Sequence, residues 1–288
     1  MDASTTEDQE KAAEIPWLYV ASDLHLAEGV DPRTRRYARL EGFFYDEEFA
    51  AFVEACLADA GDRPATLIFN GDVFDFLAVV RVPGPNERRV EGLEVTRFEQ
   101  KYGLLPTERK ARWKLARIVH GHRRFFSAWL RWMATGRSIV LIRGNHDMEL
   151  FWPGVQERLT ELLVQIAAED AIPLTREHIE ARLTHRDWFH YEPGRVFIEH
   201  GHQYEPSNCM PNLLHPLFPR NPFGERDPIL DYPAGSHFLQ IVFNRLRLID
   251  PIRTHITTGA QFGKLLTRSR LFDFLLALWR NFPYLTRL

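Results

Sequence analysis

Cysteine is nearly absent from this 288-residue chain: Cys56 and Cys209 are its two, far apart and in no Cys-x-x-Cys spacing. That disfavours a disulfide framework and a thiolate zinc site, and a reduced, cytoplasmic setting is expected. Charge of one sign is lacking as well. Its 36 Lys and Arg nearly balance 39 Asp and Glu, for a formal net charge of −3, so charge gives no pointer to nucleic acid. No uninterrupted apolar run reaches the about 20 residues that cross a bilayer. Residues 1–15 are acidic and polar, without the basic start and apolar stretch of a signal peptide. They read as a disordered leader ending near Pro16. Apolar surface is what the chain does have, at 45% of residues, enough for a sizeable core.

Along the chain, residues 17–26 read as a buried strand running into a polar loop, and 65–76 repeat that pattern with Gly71 and two carboxylates. A third such unit is "RSIVLIRGNHDMEL", 137–150. Apolar spacing predicts helices over 46–60, ending at Gly61, over 107–136, a single long basic helix ending at Gly136, and over 154–171. "DWFHYEPGRVFIEHGHQYEP" predicts a hairpin turning at Pro193-Gly194, with its second strand ending at His200. Alternating strands and helices argue for an α/β layered fold. No internal repeat is present. Residues 206–236 are rich in Pro and Asn and read as irregular, and 237–288 as a helical, basic and apolar tail.

Polar residues gather just past the strand ends, where loops of open α/β sheets converge on ligands. They are Asp23-x-His25, Gly71-Asp72-x-x-Asp75, Gly144-Asn145-His146-Asp147 and His200-Gly201. Taken singly, Asp23 reads as a cap or turn residue, and Gly71-Asp72 and Asn145 as turn formers. Together they offer mixed Asp, His and Asn ligands, which suit Mn²⁺, Fe²⁺ or Zn²⁺ better than Ca²⁺. Asp72, with two oxygens, can bridge two ions. The glycines before Asp72 and Asn145 let the backbone turn sharply. His120 and His122 lie on a charged helix and match no motif, and Trp129 and Trp132 read as core.

These four elements, in this order over roughly 17–205, resemble the calcineurin-like metallophosphoesterase family. The resemblance implies a four-layer α-β-β-α sandwich, here with a helical C-terminal insertion or tail, and a core over 16–205. It implies two divalent ions, Mn²⁺ first, with Fe²⁺ or Zn²⁺ as alternatives. One would be held by Asp23, His25 and Asp72, the other by Asp72, Asn145 and His200. His146 would sit at the substrate phosphate as the catalytic residue. Asp75 and Asp147 would orient histidines and loops from behind. The implied reaction is in-line attack on phosphorus by a water the two metals share.

The family's last motif, Gly-His-x-His, is missing, since Gly201-His202-Gln203-Tyr204 puts Tyr at its second His. Either the parent chain continues past Leu288 and supplies it, which is our expectation, or His202 and water substitute, or the site is impaired. Within the family the nearest resemblance is to the UDP-2,3-diacylglucosamine diphosphatase branch. That branch carries Arg where this chain has His146, so a generic phosphoester substrate is expected instead. Two rivals are a metal-dependent nuclease and a binding module without turnover; nucleic acid is not expected as a partner. The tail, 237–288, is expected to make peripheral membrane contact.

Overall fold

A computed structural model describes residues 15–218 and 226–249. Its centre is a parallel sheet of β1 (Trp17–Ala21), β4 (Ala65–Asn70), β5 (Ser138–Ile142) and β6 (Leu183–Arg186), in the order β1-β4-β5-β6. In register, Ala21 lies opposite Phe69 and Asn70 opposite Ile142. Parallel strands ending level deliver their next residues to one edge, and here those are the three polar loops. The chain is mixed α/β with flanking helices, as the alternation of strand and helix patterns predicted.

One face of the sheet is covered by α1 (Asp46–Ala60), α5 (Arg123–Ala134) and α6 (Pro153–Glu169), alongside α4 (Glu108–Gly121) and α7 (Arg176–Arg182). In α1 the buried Phe49, Val53, Cys56 and Ala60 follow helical spacing. Asp46, Glu47 and Glu48 in its first turn complement the helix dipole. Phe49 stacks on Phe125 at 3.9 Å, and Phe69 tilts against Trp129 at 4.8 Å. Trp129 and Trp132 are fully buried, as their reading as core required.

The opposite face carries Ile68, Val140 and Ile142, against which Ile198 packs. Ile198 belongs to a hairpin of β7 (Phe189–Glu192) and β8 (Val196–Glu199), turning at Gly194 with φ +70°. This hairpin is a separate two-stranded sheet.

Three local expectations need correcting. Strand β1 is an edge strand rather than a buried one, with Trp17 and Val20 exposed. Helix 107–136 is two helices, α4 and α5, broken at His122. Glu28 and Gly29, which lead into β2 (Val30–Asp31) and its antiparallel partner β3 (Arg36–Tyr37), press on the break. A Cβ on Gly121 would lie 1.9 Å from the Glu28 carbonyl oxygen, and one on Gly29 would lie 2.4 Å from Gly121. Strand β6 and helices α2 (Pro85–Glu91), α3 (Arg97–Tyr102) and α7 were not anticipated. Thr96 and Glu99 form a capping box at α3, a signal present in the sequence.

Described residues beyond 205 reach into the core. Met210, Leu230 and Tyr232 are buried in it. A short helix α8 (Ala234–Phe238), a π-turn (Leu239–Phe243) and α9 (Asn244–Ile249) follow, and the Asn244 amide donates to the Leu77 carbonyl at 2.8 Å. The rest of the tail, where peripheral membrane contact was expected, lies outside the described residues. No helix among the described residues is long and apolar enough to cross a membrane.

Candidate metal centre

The first loop leaves β1 and turns at Asp23 and His25, with φ of 56° and 53°; Asp72, in the second, has φ of 54°. L-residues adopt this left-handed backbone at a cost of about 1–2 kcal/mol each. Three such residues at one sheet edge need surroundings that hold them there. Those are backbone bonds: Asp23 N–H donates to Gly71 O (3.2 Å), His25 to Asp72 O (2.9 Å) and Leu26 to Val73 O (2.9 Å). The two strained loops lock each other.

Asp72 is the centre of what results. It is 3% exposed. Its Oδ1 accepts the His146 backbone N–H at 2.9 Å. Its Oδ2 lies 3.3 Å from His200 Nε2 and 3.8 Å from His25 Nε2. Burial alone would raise its pKa, but the hydrogen bond from His200 and the charges of His146, His200 and His25 hold it well below the carboxylate range. His200 answers in kind: burial would lower its pKa, and Asp72 raises it to about 9.

Potential ligand atoms form two sets, each with its atoms within 4.8 Å of one another: one from His25, Asp72 and His146, the other from Asp23, Asp72 and His200. Asp72 is common to both. His146 stands with His25 and Asp23 with His200, while Asp23 Oδ1 also lies 4.0 Å from His25 Nε2, so the two groups adjoin. The His25 and His146 rings meet edge-on at 4.5 Å. Asn145 is buried between Gly144 and His146 on the same loop.

Behind this layer the carboxylates and carbonyls orient the rings. Asp75 Oδ1 lies 3.1 Å from His146 Nδ1. Burial would raise the Asp75 pKa, but His146 outweighs it and lowers it, so the carboxylate accepts, Nδ1 donates and Nε2 is turned outward. Burial would lower the His146 pKa; the charge of Asp75 lifts it to about 9. Asp147 accepts from Gly144 N (2.6 Å), Val73 N (2.9 Å) and Phe74 N (3.4 Å), tying the second and third loops together. Burial and the Asp72 charge push its pKa up to about 7.

Two features escaped sequence reasoning. His200 Nδ1 lies 2.7 Å from the Asn70 carbonyl, which can only accept, so Nε2 is left facing Asp72. A backbone carbonyl does this whatever its side chain, so no sequence signal marks Asn70. Gly144, expected to serve a sharp turn, serves close approach: a Cβ there would lie 2.1 Å from Asp72 Oδ1 and 2.7 Å from Asp72 N. Gly71 does both, with φ +81° and a Cβ position 2.4 Å from the His200 ring.

His202 is buried beside His200, with ring centroids 5.3 Å apart, and neither of its nitrogens has a hydrogen-bond partner. Burial and the neighbouring His200 push its pKa down to about 4. Buried polar groups are rarely left unpaired, and a neutral imidazole is a group able to ligate a metal.

The fold and this cluster agree with comparison to known families. The calcineurin-like phosphoesterase family model matches residues 16–232. The chain belongs to that family, whose members are hydrolases acting on phosphoester bonds. No curated protein and no solved structure matches it.

Proposed function

We propose that this chain hydrolyses phosphoesters at the Asp72 cluster with two divalent cations, Mn²⁺ by preference and Fe²⁺ or Zn²⁺ as alternatives. The observation that carries the reading is the sharing of Asp72 between two groups of ligand atoms. The donor set fits: Asp and His side chains on locked, strained loops, with the unpartnered His202 beside them. Asp23, His25, Asp72, Asn145 and His200 would hold the ions, and His202 is a further candidate, in place of the missing second His of the last motif. When bound, such ions supply Lewis acidity, generating a nucleophile from water and neutralising charge on the phosphoryl oxygens.

The chain's own residues supply the rest. Asp75 fixes the His146 tautomer, so that Nε2 can hold a proton for the departing oxygen or donate to a phosphoryl oxygen. Asp147 keeps the third loop against the second, and Asn70 keeps His200 Nε2 on Asp72. His146 stands where the UDP-2,3-diacylglucosamine branch has Arg, so we assign a phosphoester substrate without that headgroup.

The test is metal counting coupled to hydrolysis of bis(p-nitrophenyl) phosphate by protein purified with Mn²⁺. About two ions per chain are expected, with Asp72→Ala losing both the ions and turnover. His146→Ala should keep most metal and lose about 10²- to 10⁴-fold in kcat. Full metal content and turnover in Asp72→Ala would sink the proposal.

A further inference from the structure

A cavity of about 610 Å³ lies between the β2–β3 turn, α2 and α4, and reaches Glu28 and Ala78, each a few residues along the chain from the metal cluster. Six arginines line it, against four carboxylates. Of the carboxylates, Glu28 already pairs with Arg117 (3.0 Å) and Arg81 (3.4 Å). Asp31 is held by the turn's own N–H groups at Arg33 and Thr34, and pairs with Arg81 at 3.4 Å. Glu87 caps the Gly84 N–H at the start of α2, and Glu91, the fourth, at the end of α2, makes no ion pair among the described residues. That leaves Arg33, Arg36 and Arg39 without a carboxylate partner among the described residues; Arg39 donates to the Leu248 carbonyl. All three come from one short turn segment, where like charges repel unless an anion lies between them.

The cavity is close to the cluster for a covalent reason. Glu28 is three residues past His25, and Ala78 three past Asp75. With 3.8 Å between consecutive Cα atoms, neither step exceeds about 11 Å. The two segments run together, since Asp75 N–H donates to Leu26 O at 2.8 Å. Trp113, Leu40 and Val80 give the cavity apolar wall. Its volume is that of a small-molecule site, roughly 300–1,000 Å³, rather than of a polymer groove.

We propose that this cavity is the recognition subsite for a second anionic group, phosphate or carboxylate, on a small phosphoester substrate whose scissile phosphorus sits at the Asp72 cluster. This rests on the hydrolase reading above. Guanidinium groups grip such anions through paired N–H donors.

Two experiments decide it. Calorimetric titration of inorganic pyrophosphate into the whole chain in EDTA, where no metal contributes, should show saturable binding. Arg33→Ala/Arg36→Ala, which changes exposed turn residues, should weaken it by about tenfold or more. With Mn²⁺ restored, the same double variant should raise KM about tenfold for a p-nitrophenyl phosphodiester bearing a terminal phosphate on an alkyl tether. It should leave kcat, and both constants for bis(p-nitrophenyl) phosphate, nearly unchanged. No pyrophosphate binding, equal binding by the variant, or an equal rise in KM for both substrates would overturn the subsite. So would displacement of pyrophosphate by an oligonucleotide at lower phosphate concentration, which would make this a nucleic-acid surface. If neither substrate is hydrolysed, the hydrolase reading fails, and calorimetry still decides whether the cavity binds anions.

Discussion

His122 belongs to no motif, yet it is fully buried, with Nδ1 3.1 Å from Asp46 and Nε2 3.2 Å from Glu41. Glu41 in turn accepts from the backbone of Gly29 (2.5 Å) and Phe43 (2.9 Å), so the imidazole anchors the turn that forms the arginine-lined cavity. Burial would lower the His122 pKa, but its two carboxylates raise it from 6.5 to about 9. Below pH 6.5 the folded and unfolded chains both carry the proton, and the ion pairs contribute fully. As pH rises through about 9 the folded chain loses that proton, and the contribution goes. From a shift of that size it is on the order of 3 kcal/mol. Urea unfolding should therefore show the stability gap between wild type and His122→Gln closing between pH 6.5 and 9. A gap that stays constant would show that His122 is neutral in the fold.

At the scale of elements, the site depends on how closely two loops approach. The third loop can pass over Asp72 because Gly144 has no side chain. Gly144→Ala should displace Asp72, abolish stoichiometric Mn²⁺ binding and leave the far-ultraviolet circular dichroism intact; retained metal would show that the loop can yield. Gly121→Ala is a different case. Its Cβ would strike the Glu28 backbone, not a flexible side chain, and overpacking of this kind costs about 1–3 kcal/mol. A drop in Tm is expected, with metal binding kept. The break between α4 and α5 escaped the sequence reading for this reason. Periodicity continues through Gly121-His122, and what ends the helix is the backbone of Glu28 and Gly29, far earlier in the chain, pressing on it. Strand β6 escaped because "LTHR" offers a single large apolar residue at the far edge of the sheet.

On the scale of the whole molecule, burial couples the segment around Tyr232 to the centre of the fold. Tyr232 is fully buried and its hydroxyl donates to Glu149, itself without exposure. Burial pushes the Glu149 pKa up to about 7, and Lys114, also buried, donates to the Phe76 carbonyl at 3.0 Å one residue past Asp75. Tyr232 is thus fastened to Glu149, two residues past Asp147 of the third loop. Metal binding should in turn stabilise the fold. An ion at a hundred times its Kd contributes about 2.7 kcal/mol, or roughly 5 °C or more in Tm for a chain of this size. Thermal unfolding with Mn²⁺ and with EDTA should differ by that much in wild type and not in Asp72→Ala. Equal shifts in both would place the ion elsewhere.

Order along the chain determined the class of this protein. Three apolar runs each end in a polar loop, and in a parallel sheet those endings must share an edge, so Asp23, His25, Asp72, Asn145 and His146 were legible before any coordinates. His200 was legible too, as the end of a hairpin strand. What tertiary structure alone decided were distances that no local pattern encodes: that His146 stands with His25 and Asp23 with His200, that Asn70 aims His200 through a backbone carbonyl, and that His202 lies buried without a partner. No motif or periodicity marks the arginines of residues 33–39 in the sequence. Only the fold, by setting their neighbours' carboxylates to other tasks, leaves them facing a cavity with charge unanswered.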